Sequence, residues 1–154
     1  MKKQFPPGLF VAVYLALVRG NQVLLLKRQN TGFEDGNYDL IAGHVEKAES
    51  ITQAVIREAK EESGIRILPG HLNFFHAMQR FSINDRVYLD FFFSSDSWDG
   101  EITNKEPEKC SALTWFALND LPDNIIPYIR NNLQNYFVKS IYFSEHGRQD
   151  HPVR

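Results

Sequence analysis

The chain has 154 residues, a formal charge of −2, 43% hydrophobic residues and 23% charged residues. That is ordinary for a soluble globular protein with room for one core, and the weak net charge excludes a general field for holding nucleic acid. The one cysteine, Cys110, excludes an intrachain disulfide, and no apolar run approaches the ~20 residues that span a bilayer.

Met1-Lys2-Lys3 carries the charge of a signal n-region, but Pro6, Pro7 and Gly8 stand between it and the first apolar run. Residues 9–18 form that continuous run, expected as a strand covered on both faces. Residues 19–22 are a turn, 23–28 a second strand and 29–37 a loop. A short strand at 38–41 leads to Ala42-Gly43. Ser50 is the expected N-cap of a helix that runs to about Ser63 and stops at Gly64. Residues 72–82 and 86–94 are aromatic, β-prone runs around Ile83-Asn84-Asp85, expected as a hairpin. An acidic loop spans 106–109, a strand 112–116, and an amphipathic helix 125–137. The polar tail, from about 144 to 154, is expected to fray. The pattern predicts one α/β domain over residues 1–154, in the cytoplasm, with a Phe-rich core and Cys110 as a buried, inert thiol.

The chemistry concentrates in residues 43–65. On a helix, Ile51, Val55, Glu58 and Glu62 fall on nearly one line, so two carboxylates share the apolar stripe. Glutamate-rich helices are ordinarily solvated faces. Inward carboxylates are costly unless a cation compensates them, and a divalent metal with a phosphorylated ligand is the simplest compensation. Glu58, Glu61 and Glu62 lie within about one turn, so their tips can converge on an ion beside the helix.

Gly43, Glu49, Arg57, Glu58, Ala59, Glu61, Glu62, Gly64 and Ile65 match the spacing of the Nudix box, with Ala59 the one small residue where a bulky aliphatic is commoner. The chain therefore resembles the Nudix hydrolases of MutT type. The resemblance implies an α/β/α sandwich with a central mixed sheet. It implies Mg²⁺ (Mn²⁺ as substitute) on Glu58, Glu61, Glu62 and the Gly43 carbonyl, with Arg57 orienting a glutamate. Glu49 orients the arginine or caps the loop, and His44 shapes the loop rather than binding metal. A late acid, ligand or base, is assigned to Glu106, with Glu108 and Glu101 as alternatives. On this reading Arg57, Glu58, Glu61 and Glu106 carry the catalysis.

Arg28 corresponds to a family position near the phosphates. The loop 33–39 and the segment 121–128 are expected to hold the ligand's other end. Ile125 falls at the purine-reading position, with Asn124 one residue early, so Asn124 and Asp39 are the candidate polar readers. Phe33, Tyr38 and Tyr128 are candidates to stack the base. The expected reaction is hydrolysis of a diphosphate linkage, with nucleoside triphosphates giving monophosphate and pyrophosphate. ADP-ribose or nucleoside-diphosphate-sugar hydrolysis is the alternative, and a non-catalytic nucleotide-binding module is a further one. The expected partner is a small nucleotide, with no stable nucleic acid and no membrane, on a monomer or homodimer.

Overall fold

The computed structural model describes residues 8–82, 86–136 and 141–147. Its axis is strand β1, Leu9–Arg19, whose residues 12–18 are buried without a break. Burial on both faces is why this run is apolar throughout rather than alternating. Val13, Leu15 and Leu17 pack with Ala54, Val55 and Ala59 of helix α1 (Ile51–Ser63). Ala12, Tyr14 and Ala16 pack with Ile129 and Leu133 of helix α2 (Pro127–Gln134). One helix on each face makes an α/β/α sandwich.

The remaining strands are β2 (Gln22–Arg28), β3 (Tyr38–Asp39), β4 (Ile41–His44), β5 (Asn73–Phe81), β6 (Val87–Ser95), β7 (Cys110–Ala117) and β8 (Tyr142–His146). They form a mixed eight-stranded sheet in the order β3-β2-β1-β6-β5-β8, with β4 paired to β1 and β7 to β2. The pairs β1–β6 and β5–β8 are parallel and the rest antiparallel. Val13 of β1 faces Gly43 of β4, while Ala12 faces both His44 of β4 and Asp90 of β6. β1 therefore separates the glycine loop from the β5–β6 hairpin.

Three expectations change. The short strand at 38–41 is two strands, because Leu40 breaks the pairing between β3 on β2 and β4 on β1. Helix α2 starts at Pro127, where proline sits well at a first helical position, and Ile125 and Ile126 precede it in the core. The tail expected to fray from about 144 instead continues β8 through His146, paired in parallel with β5, while residues 148–154 lie outside the described residues. The expected hairpin forms, its connection 83–85 also lying outside them. Cys110 is buried, which raises its thiol pKa.

Candidate active site

The glycine loop and α1 are fixed by local chemistry. Ser50 is the N-cap: its hydroxyl accepts from Gln53 N (3.1 Å), and the Gln53 side chain accepts from Ser50 N (2.8 Å). Such a reciprocal box satisfies two helix-end donors. At the far end Gly64 has φ +76°, which glycine adopts without steric cost, and its N–H closes on Lys60 O.

Arg57 is the hub. Its Nε and Nη2 donate to the Glu49 carboxylate at 2.7 and 3.0 Å, and Nη2 also donates to His44 O at 2.9 Å. Nη1 donates to Glu58 Oε1 at 2.6 Å and to Glu61 Oε2 at 3.1 Å. Glu49 also accepts from Glu46 N, so it both holds the arginine and ties the loop. Hydrogen bonds to Glu49 push the Arg57 pKa up, and those from Arg57 pull Glu49 down.

The pKa values of Glu58 and Glu62 are shifted the opposite way from that of Glu49. Burial raises the Glu58 pKa, and Arg57 only partly offsets it. Burial raises Glu62 strongly, and the charge of Glu58 adds to it. Glu62 accepts one hydrogen bond, from Ala42 N at 3.0 Å. These two carboxylates flank the buried Val55 and Ala59 on the inner side of α1, and Glu61 is exposed beside them.

Gly43 sits where the Glu58 carboxyl packs against the backbone; a Cβ at position 43 would overlap it. The donor set is all oxygen and mutually repulsive, which suits a hard divalent cation. Among the described residues no three acidic, histidine or cysteine side chains are drawn together as a coordination shell. Arg57 holds the tips of Glu58 and Glu61 instead.

Glu58, Glu61, Glu62 and Glu106 line one cleft of about 660 Å³ together with Arg28 and Asp39. Glu106 is half-buried; its N–H donates to Asn104 Oδ1, and Lys109 Nζ donates to its Oε1 at 3.2 Å. Glu101 and Glu108 are exposed and do not line the cleft. Arg28 crosses to Asp39 Oδ2 (3.1 Å), Phe33 O (2.8 Å) and Thr31 Oγ1 (3.1 Å), pinning the loop whose turn is closed by Asp35. Asp39 is buried, which pushes its pKa up to about 6 against the pull of Arg28.

The segment expected to read the base does not reach the cleft. Asn124 donates its amide to Gly36 O at 2.9 Å, and its own carbonyl accepts from Tyr38 N. Ile125 and Ile126 are core. Of the three stacking candidates, Phe33 lines the cleft, whereas Tyr38 packs on Phe116 and Tyr128 is buried against Tyr14. Sequence reasoning missed the opposite wall, made by Tyr14, Arg80, Arg86 and Tyr88. Its signal was available only as two charges, Arg80 and Asp90, inside β-prone runs.

Comparison with known proteins agrees with this fold. The family model of the NUDIX domain matches residues 8–136, and the chain belongs to the Nudix hydrolase family. The NAD-capped RNA hydrolase NudC of Stutzerimonas stutzeri (strain A1501) is 29% identical over 150 residues, covering 97% of this chain and 50% of that protein. NudC of Pseudomonas aeruginosa (strain LESB58) is 33% identical over 116 residues, covering 75% and 39%. The chain thus spans half or less of the length of these relatives. A MutT NUDIX hydrolase from Burkholderia pseudomallei superposes with a TM-score of 0.78 at 29% identity, covering 84% of this chain and 99% of that one. A UDP-X diphosphatase structure shares the fold, with a TM-score of 0.69 at 18% identity, covering 93% and 70%.

Proposed function

We propose that the chain hydrolyses a diphosphate linkage in nucleoside diphosphate derivatives, with Mg²⁺ as working cation and Mn²⁺ as substitute. One observation carries the reading: four carboxylates, Glu58, Glu61, Glu62 and Glu106, line a single cleft, two of them with pKa values raised by burial. Glu58, Glu61, Glu62 and the Gly43 carbonyl would hold the cation. A bound divalent ion there supplies neutralisation of phosphate charge and acidification of water.

The chain's own groups do the rest. Arg57 sets the positions of Glu58 and Glu61, so their tips are preorganised at the loop. Glu106, held by Lys109 at the cleft rim, takes the proton of the attacking water. Arg28, fixed by Asp39, lies where it can meet phosphate oxygens and ties Thr31 and Phe33 into the cleft wall. Phe33 offers a ring face beside Arg28 at 5.4 Å.

Nucleoside triphosphates, cut between the α and β phosphorus atoms to monophosphate and pyrophosphate, are the first substrate reading. The second is a nucleoside diphosphate carrying a further group, such as ADP-ribose. It is favoured by the curated relatives, which are named for acting on NAD-capped RNA. The test is one substrate panel under one Mg²⁺ condition: ATP, GTP, ADP-ribose and diadenosine diphosphate, with each phosphate-bearing product identified. Turnover of none of them, with Mg²⁺ or Mn²⁺, overturns the proposal.

A further inference from the structure

Arg80 is only 8% exposed, yet it lines the cleft. Its side-on edge is committed: Nε and Nη2 donate to the wholly buried Asp90 at 2.6 and 3.2 Å. Nη2 has a further, long contact to Tyr14 Oη at 3.5 Å. The plane is held by aromatic faces, with the guanidinium 4.1 Å from the Tyr88 centroid and 5.2 Å from that of Tyr128. Nη1 donates to nothing among the described residues. It is also not a buried orphan, since among the described residues His76 Nδ1 is the one buried side-chain polar atom without a partner. Nη1 therefore keeps solvent access, on a cleft-lining guanidinium that Asp90 holds by two hydrogen bonds.

We infer that Arg80 is the base-reading residue of the cleft, and that it selects guanine over adenine. The inference rests on the proposed reading only in placing a nucleotide in this cleft. Asp90 compensates the charge of Arg80, so the pair has little pull on phosphate compared with its directional donors. The end of this guanidinium offers Nη1 together with the second N–H of Nη2, which is engaged only by the long 3.5 Å contact to Tyr14, and such an end matches two adjacent acceptors in one plane once that contact is exchanged. Guanine presents O6 and N7 in that arrangement, whereas adenine sets an amino donor beside N7. The location fits as well. Asp90 and His44 face Ala12 from opposite edges of β1, so the backbone beside the Arg80 partner lies about two strand spacings, ~10 Å, from that of His44 in the glycine loop. That leaves room for a ribose between the phosphates at the carboxylates and the base at Arg80. A fixed guanidinium fork also supplies the polar group that the buried Ile125 and Ile126 do not.

The test is calorimetric binding of GMP and AMP without divalent metal, alongside kcat/KM for GTP and ATP with Mg²⁺. Wild type should bind GMP about ten- to a hundredfold tighter than AMP. The double variant Arg80→Met/Asp90→Leu removes the buried pair together, so no orphan charge remains to unfold the protein. It should keep its melting temperature and bring the ratio near one. Arg80→Lys, which keeps the charge and loses the fork, should also lose most of the preference. Equal binding of GMP and AMP by wild type, or a preference that survives either variant, overturns the inference. A GMP preference that the variants abolish, with no hydrolysis of any nucleotide, would keep this inference and remove the hydrolase reading. Hydrolysis without base preference would do the reverse.

Discussion

The Glu58 carboxyl occupies the space that a Cβ on residue 43 would fill. Gly43 does not have a left-handed φ, so what matters at this position is its missing side chain. Gly43→Ala should therefore fold, because the group it displaces is the movable end of a side chain. Its melting temperature should stay within a few degrees of wild type. Its kcat should fall at least ~10²-fold, the size expected when a preorganised charge is misplaced. Wild-type turnover in this variant would show that the Glu58 position is immaterial.

Glu62 gives a pH prediction. Burial raises its pKa in the folded state above the ordinary 4.5. Below that ordinary value both states are protonated and the group adds no penalty. As pH rises toward the folded pKa, the unfolded state ionises more readily, and native stability is lost. In chelator-treated protein the melting temperature of Glu62→Gln should therefore gain on wild type as pH rises above about 4.5. The two curves should converge below pH 4. Parallel curves across the range would mean that Glu62 is not burdened by ionisation.

Glu106 is separable from its neighbours by kinetics. It lines the cleft and is held by Lys109, whereas Glu108 and Glu101 are not part of the cleft wall. Glu106→Gln should lower kcat about 10²-fold with little change in KM, a loss confined to the transition state. Glu108→Gln should stay within about twofold of wild type. The opposite ranking would move the acid to Glu108.

Arg28 couples two parts of the cleft through Asp39, Phe33 and Thr31. Arg28→Ala should raise KM about tenfold or more, by losing a phosphate partner and freeing the loop. Asn124→Ala should leave base preference unchanged, since that amide is already used by Gly36 O. A shifted preference in Asn124→Ala would return the reading role to the segment before α2.

The part of this site that is legible in the sequence is the part built on one helix. Glu58, Glu61 and Glu62 are related by helical spacing, and Ser50 and Gly64 bound that helix by local chemistry. The clustering of Arg57 with Glu49 also comes from a short stretch of chain. What was not legible depends on pairing between distant strands. Arg80 meets Asp90 only through the hairpin register, in a part of the sheet whose outer edge is β8, paired in parallel with β5. A five-residue edge strand in a polar tail has no periodicity strong enough to be read. Ile125 and Ile126 show the same limit: their apolar spacing suits a helix face, yet Ile126 N donates to Tyr38 O and the helix waits for Pro127.

Cation-dependent hydrolysis driven by the cleft carboxylates is the proposed activity. Its most direct test is the initial rate of wild type and Glu62→Gln on the best substrate of the panel, with saturating Mg²⁺ and matched melting temperatures. In Glu62→Gln kcat should fall at least ~10²-fold while the protein stays as stable as wild type or becomes more so. A folded Glu62→Gln with wild-type kcat would contradict it.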